Sequence, residues 1–422
     1  MRVSFSLPGQ RLSQYRLTQM GRRYNMLNEK HIATIKSTIP LLENAGPALT
    51  QHFYQRMFTH HPELKDIFNM AHQKTGRQSV ALFEAIAAYA KNIENLAALT
   101  SAVERIAQKH TSFNIQAEHY QIVGHHLIET LRELAGEAFS PDVEEAWTAA
   151  YLFLAQVFID REGELYLQRK QAVGGWENSR PFVVTAKIKE SELVTSFVLT
   201  PEDNQAVLDY RPGQYIGVEV KPTLGQYREI RQYSLSQQSN GKSYRISVKR
   251  ESQGTDKQGL VSNYLHQDIS VGDGIHVFAP AGDFFYQEKQ KPVVLISAGV
   301  GATPIQAMLQ TLNGSGKQDV TYLHACHNQE QHSFLDETST LISVNNWQQF
   351  VWYFEGKSDL DGHERYGTME LNAVVSDLPL ADGDFYICGP IGFMESVVLQ
   401  LESLKVSRDR IHYEVFGPHS NL

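Results

Sequence analysis

The sequence has few cysteines and no long apolar run, and each scarcity excludes a class of protein. Only two of its 422 residues are cysteines, Cys326 and Cys388, which excludes a framework of several disulfides and predicts a reducing compartment, the cytoplasm. No apolar stretch approaches the roughly 18 to 20 residues that a membrane-spanning helix requires, so we expect no integral membrane segment. With 42% hydrophobic and 20% charged residues, the composition is typical of a globular protein.

Charge is distributed unevenly along the chain. The formal net charge is −9, yet residues 1–25 hold several arginines and no acidic residue, so the remaining chain is more acidic than the whole. An acidic body repels a phosphate backbone, and we expect no nucleic-acid partner. The basic start lacks an apolar core of about 7–15 residues, which excludes a secretory signal. We interpret residues 1–25 as a disordered extension or as sequence upstream of a true start at Met26, in preference to a mitochondrial leader.

Helical periodicity fills the first part of the chain. A length of 422 residues exceeds a single hydrophobic core and predicts three domains. Apolar residues recur at helical spacing from Ile32 to Leu42 and again from Trp147 to Leu165, with no strand pattern between them. We therefore predict an all-α domain over residues 26–172. Pro40 should kink or divide its first helix, and Gly46-Pro47 should end it.

The pattern changes twice beyond this helical part. Turn formers and a proline in residues 174–181 mark the first boundary. Short β-type runs follow, separated by Pro, Gly and Asp, and predict an antiparallel β-barrel over residues 173–287. From about Lys291 apolar strands alternate with helices, which is typical of a parallel sheet covered on both faces. This predicts an α/β domain over residues 288–422.

A glycine-rich turn between a strand and a helix in the α/β part has the chemistry of a nucleotide site. Glycines at 299 and 301 let the backbone approach a pyrophosphate, and Pro304 suits the first turn of the helix that would face it. The spacing departs from the three-glycine fingerprint, so a turn without ligand is an alternative. A later loop, Cys388-Gly389-Pro390, ends another strand and should converge on the same nicotinamide dinucleotide. The expected contacts are Gly299, Val300, Gly301, Thr303, Pro304, Cys388, Gly389 and Pro390.

The segment Arg231-Gln232-Tyr233-Ser234 precedes that site and suits a flavin. Arg231 offers a cation to a pyrophosphate, Tyr233 an aromatic face to the isoalloxazine ring, and Ser234 a hydroxyl or N–H to its polar edge. Backbone N–H groups of Gly259, Val261 and Ser262 would bind the same phosphates. An exposed strand with Arg and Tyr on alternate faces is the alternative. The order of the two segments, flavin first and nicotinamide second, favours a reductase.

The helical part must then contain a redox centre that accepts electrons. His110 continues an apolar face with Ile106, and Glu162 lies on the apolar stripe of the last helix, where a carboxylate needs a partner. One interpretation makes His110 an axial ligand of haem iron, with Tyr120 and Glu162 bound to its second ring nitrogen. The alternative is a hydrogen-bonded core histidine, with Glu162 as a cap or extended to solvent. The adjacent His125 and His126 have a surface-like pattern and are rejected as paired ligands.

From about Met26 to Leu422 the chain resembles the flavohaemoglobins, in which a globin is fused to a ferredoxin–NADP reductase-like module. The segments that carry the resemblance are 52–58 (HFYQRMF), 67–70 (IFNM), 106–113 (IAQKHTSF), 212–215 (PGQY), 231–234 (RQYS), 388–390 (CGP) and 412–418 (HYEVFGP). The resemblance implies one haem b with His110 as its axial ligand and one FAD. It also implies nicotinamide as the electron source.

The same resemblance implies roles for further residues. Tyr120 and Glu162 would bind the axial histidine, and Tyr54 and Gln78 would face the distal side of the haem. Further pocket residues would be Phe68, Leu82 and Lys109, the last of them facing the flavin. The flavin site would comprise Tyr215, Arg231, Gln232, Tyr233, Ser234, Gly259, Val261, Ser262, Glu414 and Phe416. Phe416 would shield the flavin where nicotinamide enters.

Three features depart from the family pattern. Val415 stands where relatives often carry cysteine, the basic extension is unusual, and the loop containing residues 254–257 is long. None of these removes a reacting group. The second strand of the nucleotide domain ends at Cys326-His327-Asn328 without an arginine for a 2′-phosphate, so we expect NADH to be preferred over NADPH.

The family implies nitric oxide dioxygenase activity, in which NO and O₂ become nitrate with electrons passed from NAD(P)H through FAD to haem. The expected partners are therefore NO, O₂ and NAD(P)H, and we expect a monomer. Two alternatives remain: a general NADH-dependent reductase of ferric, quinone or hydroperoxide acceptors, and an O₂ or NO sensor or carrier. Equilibrium gas binding needs no hydride donor, which disfavours the sensor.

Overall fold

Helices form all the regular structure described before residue 179. The structure is a computed structural model, and it describes residues 27–68, 76–251, 259–356 and 364–417. The basic extension at 1–25 lies outside these ranges, as do Asn69, Met70 and the loop at 254–257. Two units can be distinguished, Met1–Gln168 and Arg169–Leu422. Among the described residues, no helix is long and apolar enough to cross a membrane.

Six α-helices occupy the described residues ahead of the first strand. They are α1 Glu29–Ala45, α2 Pro47–His60, α3 Arg77–Lys91, α4 Thr100–Ser112, α5 Ala117–Ala135 and α6 Pro141–Gln171. Asn28 caps α1 by accepting a hydrogen bond from the His31 N–H, and Gly46, at φ +56°, separates α1 from α2. The predicted all-α architecture is confirmed.

Pro40 does not divide the first helix, so this alternative of the prediction is wrong, and the kink stays a prediction. Helix α1 continues through it to Ala45, and Pro40 itself is exposed. A proline removes one backbone hydrogen bond and crowds the preceding turn. Ile35 and Leu42, on either side of Pro40, are almost fully buried in the helical core. Burial of this helix face outweighs the destabilisation of α1 by the proline, because most helix stability in proteins comes from tertiary packing.

An antiparallel barrel opens the second unit. Its six strands are β1 Ser179–Lys189, β2 Val194–Pro201, β3 Tyr215–Val220, β4 Glu229–Ser234, β5 Tyr244–Lys249 and β6 Gly274–Phe278, in the order β4-β3-β6-β1-β2-β5. A bridge between Leu235 and Ile246 joins the two edges and closes the sheet. Helix α7, Leu260–Gln267, packs Val261 and Leu265 into the barrel core. The predicted antiparallel barrel is confirmed, although β4 lacks the apolar character of the other β-type runs.

A parallel sheet follows in the same unit. Its strands are β7 Val293–Ala298, β8 Val320–Cys326, β9 Gln348–Tyr353, β10 Glu364–Tyr366, β11 Asp384–Cys388 and β12 Ile411–Glu414, in the order β10-β9-β8-β7-β11-β12. Three helices are described here: α8 Ala302–Ser315, α9 Leu335–Asn345 and α10 Ile391–Ser403. Ile305 and Met308 of α8 pack on one face of the sheet, and Met394 and Val397 of α10 belong to a separate core. The apolar strands are therefore covered on both faces, as predicted.

His126 is buried, not on the surface as its sequence pattern indicated. Only 1% of the residue is exposed, whereas its neighbour His125 is exposed. The Nδ1 atom of His126 lies 2.5 Å from Nη1 of Arg56, and no described residue forms a hydrogen bond with its Nε2. Arg56 belongs to α2 and His126 to α5, so this contact joins the two helices. Burial, reinforced by the Arg56 charge and the neighbouring histidines, lowers the pKa of His126 to about 4.

We predict that acid weakens the helical unit through His126. Unfolded histidine binds a proton below about pH 6.5, but folded His126 does not until about pH 4, so stability falls as the pH falls through this window. The loss should be about 2 kcal/mol. Urea unfolding between pH 4 and 7, followed by helical circular dichroism, should show a shallower pH dependence in His126→Asn. The exposed His125→Asn should behave like the unmodified protein, and equal slopes in all three proteins would contradict the assignment.

Candidate functional site

The side chains of His110, Tyr120 and Glu162, each from a different helix, form one hydrogen-bonded cluster. Its Nδ1 lies 2.8 Å from Oε1 of Glu162 and 2.9 Å from the hydroxyl of Tyr120, and that hydroxyl donates to the same Oε1 at 2.6 Å. Helix α4 ends just after His110, α5 begins just before Tyr120, and Glu162 lies on the buried stripe of α6 with Phe158. A carboxylate oxygen only accepts hydrogen bonds, so Nδ1 carries the hydrogen and Nε2 keeps its lone pair.

Burial controls the proton positions in this cluster. Glu162 is 2% exposed, and two donors compensate for its removal from water. Burial raises the pKa of Tyr120 far above its ordinary value, and the negative charge of Glu162 adds to the effect. Tyr120 therefore stays a neutral donor. The cluster orients the imidazole and strengthens the electron donation of Nε2 to a metal.

The free nitrogen of His110 fits haem iron. Within the described part of the chain, no side chain or backbone group hydrogen-bonds Nε2, and the His110 side chain is 33% exposed. Among the described residues, no group of three or more His, Cys, Asp or Glu side chains is arranged to hold a metal ion. A lone histidine suits a metal that a macrocycle already holds. Phe68, Leu82 and Ile106 are only partly buried, which leaves apolar surface for such a flat group.

The predicted distal residues lie on α2 and α3 and in the segment between them. Tyr54 is 7% exposed, and its ring lies 5.9 Å from each of the Phe58 and Phe68 rings. Phe68 and Leu82 pack against the core cluster that contains Tyr54. Gln78 lies one turn before Leu82 on α3 and is partly buried. Lys109 is also partly buried and precedes His110 on α4.

The predicted flavin residues lie along β4 and its partner β3. Ser234 pairs with Tyr215 across the two strands, and both are nearly buried. Arg231 forms a 2.8 Å ion pair with Glu229 and donates a hydrogen bond to the carbonyl of Ile230 at 2.9 Å. Burial raises the pKa of Tyr233 above its ordinary range, so its ring stays neutral. Gln232 occupies the position opposite Gly217 in β3.

The turn before α7 is built so that only glycine fits. A Cβ added to Gly259 would lie 2.5 Å from Oγ of Ser262 and 2.7 Å from Cβ of Glu251. The Ser262 hydroxyl donates to the Gly259 carbonyl at 3.0 Å, which closes the turn, and Val261 points into the barrel core. The first N–H groups of a helix have no partner within it and attract anions. With Arg231 and Tyr233, these groups fit a flavin dinucleotide.

The two predicted nicotinamide loops touch each other. Strands β7 and β11 are parallel neighbours, with Ser297 opposite Cys388. A Cβ on Gly301 would lie 2.2 Å from the carbonyl oxygen of Cys388 and 2.6 Å from the nitrogen of Gly389. Any side chain at Gly301 would force the loops apart. These glycines, with the N-terminus of α8, form a backbone surface that fits a pyrophosphate.

The remaining predicted residues border these loops. Gly299 has a φ of +52°, and the Thr303 hydroxyl donates to the Val300 carbonyl at 2.9 Å, which closes the turn before α8. Pro304 lies in the first turn of α8, and Pro390 directly precedes α10. Strand β12 brings Glu414 opposite Cys388, and Phe416 follows it with 44% of its surface exposed.

The sequence interpretation missed one group at the same sheet edge. Phe354, directly after β9, is 60% exposed and stacks on the ring of His327, with centroids 5.8 Å apart and planes at 19°. Nε2 of His327 lies 3.3 Å from a carboxylate oxygen of Glu355. The Phe354 N–H donates to the Cys326 carbonyl, which holds the group at the ends of β8 and β9. The signal available in the sequence was Phe354 followed by Glu355 at the end of an apolar run.

We predict that Glu162→Gln weakens the His110 cluster without unfolding it. The amide retains the shape and one acceptor but loses the charge that strengthens electron donation by the imidazole. The iron–histidine stretching frequency of the haem-loaded protein should fall, and haem affinity should drop by roughly 10- to 100-fold. Resonance Raman spectroscopy and haem-transfer kinetics measure the two effects. Glu164→Gln, on the same helix and paired with Arg161, should leave both unchanged; an unaltered frequency in Glu162→Gln would contradict the prediction.

Family matches cover each part of the chain. Residues 51–158 match the Globin family, 181–286 the Oxidoreductase FAD-binding domain and 295–398 the Oxidoreductase NAD-binding domain. A flavohemoprotein of Vibrio cholerae serotype O1 is 68% identical over 397 residues, which cover 94% of this chain and 100% of the relative.

Two solved structures are also similar. The crystal structure of a flavohemoglobin from Malassezia yamatoensis with bound FAD and heme aligns with a TM-score of 0.82 at 26% identity, over 93% of this chain and all of that one. The FAD/NAD-binding domain of a nitric oxide dioxygenase from Vibrio cholerae O1 biovar El Tor is 58% identical, with a TM-score of 0.55, over 57% of this chain and all of that one.

Proposed function

The chain belongs to the flavohaemoproteins, with a globin domain followed by FAD-binding and NAD-binding domains, and from this we propose that it is a nitric oxide dioxygenase. It converts NO and O₂ to nitrate with electrons from NAD(P)H and thereby detoxifies NO. The observation that carries the proposal is the buried cluster of His110, Tyr120 and Glu162. The Vibrio cholerae protein whose reductase part is 58% identical is a nitric oxide dioxygenase, which supports the same activity here.

The proposal assigns one haem and one FAD to each chain. When bound, FAD accepts a hydride and releases electrons singly, and haem iron takes up single electrons and binds diatomic gases. His110 would hold the iron through Nε2. Glu162 and Tyr120 keep Nδ1 hydrogen-bonded, so the imidazole donates electron density strongly. Strong donation favours reaction at the iron over simple reversible gas binding, which disfavours the carrier.

The distal residues would act on the bound gas. Tyr54 would donate a hydrogen bond to an oxygen atom that acquires negative charge, with Gln78 as a second donor. Such bonds are strong in a site from which water is excluded. Phe68 and Leu82 present apolar surface that admits small uncharged NO and O₂ and disfavours ions.

The residues of the second unit would bind the electron donors. Arg231 and the N-terminus of α7 would hold the FAD pyrophosphate, and Tyr233 would pack against its ring. The two loops that meet at Gly301 would hold the nicotinamide dinucleotide. Phe416, partly exposed beyond β12, would cover the flavin until the nicotinamide displaces it.

We predict rapid NO consumption with stoichiometric nitrate when the haem- and FAD-loaded protein receives NADH and O₂. His110→Ala should lose nitrate formation but keep flavin reduction by NADH, because the variant lacks only the iron ligand. Tyr54→Phe should weaken O₂ binding first, by roughly 10-fold or more, since it removes one charge-stabilising donor. An NO electrode, nitrate analysis and the haem spectrum measure these effects. Nitrate formation that persists in His110→Ala would sink the proposal, and NADH oxidation without nitrate would favour the general reductase.

The group formed by His327, Phe354 and Glu355 supports a preference for NADH. An exposed aromatic ring at the ends of β8 and β9 suits an adenine, and a carboxylate beside it suits ribose hydroxyls. The same carboxylate repels a 2′-phosphate. Glu355 is 65% exposed and pairs with His327, so its charge faces solvent where a nucleotide would lie.

We predict that 5′-AMP binds more tightly than 2′,5′-ADP. Glu355→Gln should lower the ratio of the two affinities by about fivefold, because it removes the repulsion between the carboxylate and the 2′-phosphate. Isothermal titration with both nucleotides measures this without any turnover. Glu395→Gln, an exposed carboxylate on α10, serves as the control. If Glu355→Gln changes neither affinity, the adenosine binds elsewhere.

We further propose a cytoplasmic monomer. Cys326 and Cys388 are free and buried, which suits a reducing compartment. A single chain contains residues for haem, FAD and nicotinamide, so the reaction requires no second copy. Light scattering of the purified protein tests the oligomeric state.

A further inference from the structure

Arg245 connects the barrel to the parallel-sheet part of the second unit. On the barrel side, its Nη2 donates to the Ser236 carbonyl and its Nε donates to the Ser236 hydroxyl at 3.2 Å. On the other side, its Nη1 lies 3.2 Å from Oε2 of Glu337 in the first turn of α9. The Arg245 side chain is only 11% exposed.

Further hydrogen bonds extend this connection into a closed ring of five residues. Gln310 of α8 donates through its Nε2 to Oε1 of Glu337. The backbone N–H of Gln238 donates to Oε1 of the same Gln310 at 2.6 Å. Gln238 lies two residues after Ser236, which Arg245 holds. We call the circuit of Ser236, Gln238, Arg245, Gln310 and Glu337 the Arg245 latch.

Strained backbone lies next to the latch. Phe334, which caps α9, has a φ of +61° although its side chain is large and 97% of the residue is buried. Such a conformation is unfavourable for an aromatic residue and persists only where the surroundings impose it. The guanidinium of Arg245 lies 5.3 Å from the centre of the Phe334 ring. Beside it, Ser333 donates to Ser191 of the barrel at 3.0 Å.

The latch joins the two segments that the proposed function places on either side of the reacting atoms. Ser236 lies two residues beyond Ser234, the last flavin residue on β4. Gln310 belongs to α8, which begins at the nicotinamide turn. The latch therefore restrains the distance between the end of β4 and the helix that begins at that turn. A misplacement of about 1 Å costs roughly 100-fold in a transfer step.

We propose that Arg245 is a positioning residue for hydride transfer from NADH to FAD. In that step the C4–H bond of the dihydronicotinamide breaks and an N–H bond forms on the oxidised flavin. The hydride carries both electrons, so NAD⁺ and reduced flavin are the products. The proposal rests on the reductase part of the proposed function. Lysine cannot replace Arg245, because it lacks the planar fork that binds a carbonyl and a carboxylate together.

Arg180 provides a matched control within the barrel. Its side chain is 10% exposed, it pairs with Asp203, and it lies 5.4 Å from the Trp176 ring. Its environment thus resembles that of Arg245, except that all of its partners precede the parallel sheet. Arg180→Lys should lower stability and leave hydride transfer unchanged.

The test measures anaerobic flavin reduction by stopped flow, without NO. In Arg245→Lys, the limiting rate at saturating NADH should fall roughly 10- to 100-fold, with the apparent Kd for NADH changed less than about threefold. Glu337→Gln should produce a smaller loss. The double variant should be no slower than Arg245→Lys, because both changes break the same circuit. NADH deuterated at C4 should show a full isotope effect in the slow variants.

A second readout does not depend on turnover. The Gln238 amide donates to the latch, so hydrogen exchange at residues 236–238 and 333–337 of the FAD-free protein should accelerate in Arg245→Lys and not in Arg180→Lys. The proposal is overturned if the limiting rate stays within twofold of the unmodified protein, or if Arg180→Lys slows reduction equally. If Arg245→Lys fails to bind FAD, the limiting rate of flavin reduction in Glu337→Gln tests the proposal in its place, again by comparison with the unmodified protein and Arg180→Lys. Because haem takes no part, failure of the dioxygenase activity leaves this result intact.

Discussion

Two charged side chains that leave water, Glu162 and Arg245, are held by partners from other elements, and these contacts orient the His110 cluster and join the barrel to the parallel-sheet part. Glu162, almost fully buried in α6, requires donors, and His110 and Tyr120 supply them from α4 and α5. Arg245 requires acceptors, and Ser236 and Glu337 supply them from the barrel and from α9. An unpaired buried charge costs several kcal/mol, so the elements that contain the partners of Glu162 and Arg245 must pack where those partners reach the charge. The same requirement therefore stabilises the fold and orients the chemistry.

Close backbone contact is the second constraint, and it acts at the carboxyl edge of the parallel sheet. Gly301 lies so near the carbonyl of Cys388 that no Cβ fits between them. Neighbouring parallel strands end at the same edge of the sheet. The turn after β7 and the loop after β11 therefore meet as a consequence of the sheet topology. The glycine is thus required by tertiary contact as well as by any ligand. A sequence motif and a packing requirement coincide at this residue.

Much of the architecture was predictable because periodicity directly reports burial. Runs such as Val293–Ile296 and Phe385–Cys388 indicated buried parallel strands, and the helical stripe that includes Glu162 indicated a carboxylate in need of partners. Prediction failed where local pattern and environment disagree. A boundary at Pro40 was one predicted alternative, but packing of its neighbours continues α1 through it. His126 has a surface-like pattern, yet Arg56 of another helix makes its burial possible.

The sequence by itself determined the order of the domains, the identity of the strands and the chemical groups available to each cofactor. These follow from local spacing, which governs which face of a helix or strand is apolar. Only the tertiary structure decided which of the histidines has a carboxylate and a phenol at one nitrogen, and that Arg245 joins the flavin strand to the nucleotide part. The contacts of His110 with Glu162 and of Arg245 with Glu337 link residues more than fifty positions apart. Their geometry depends on how whole elements pack, which no local pattern encodes.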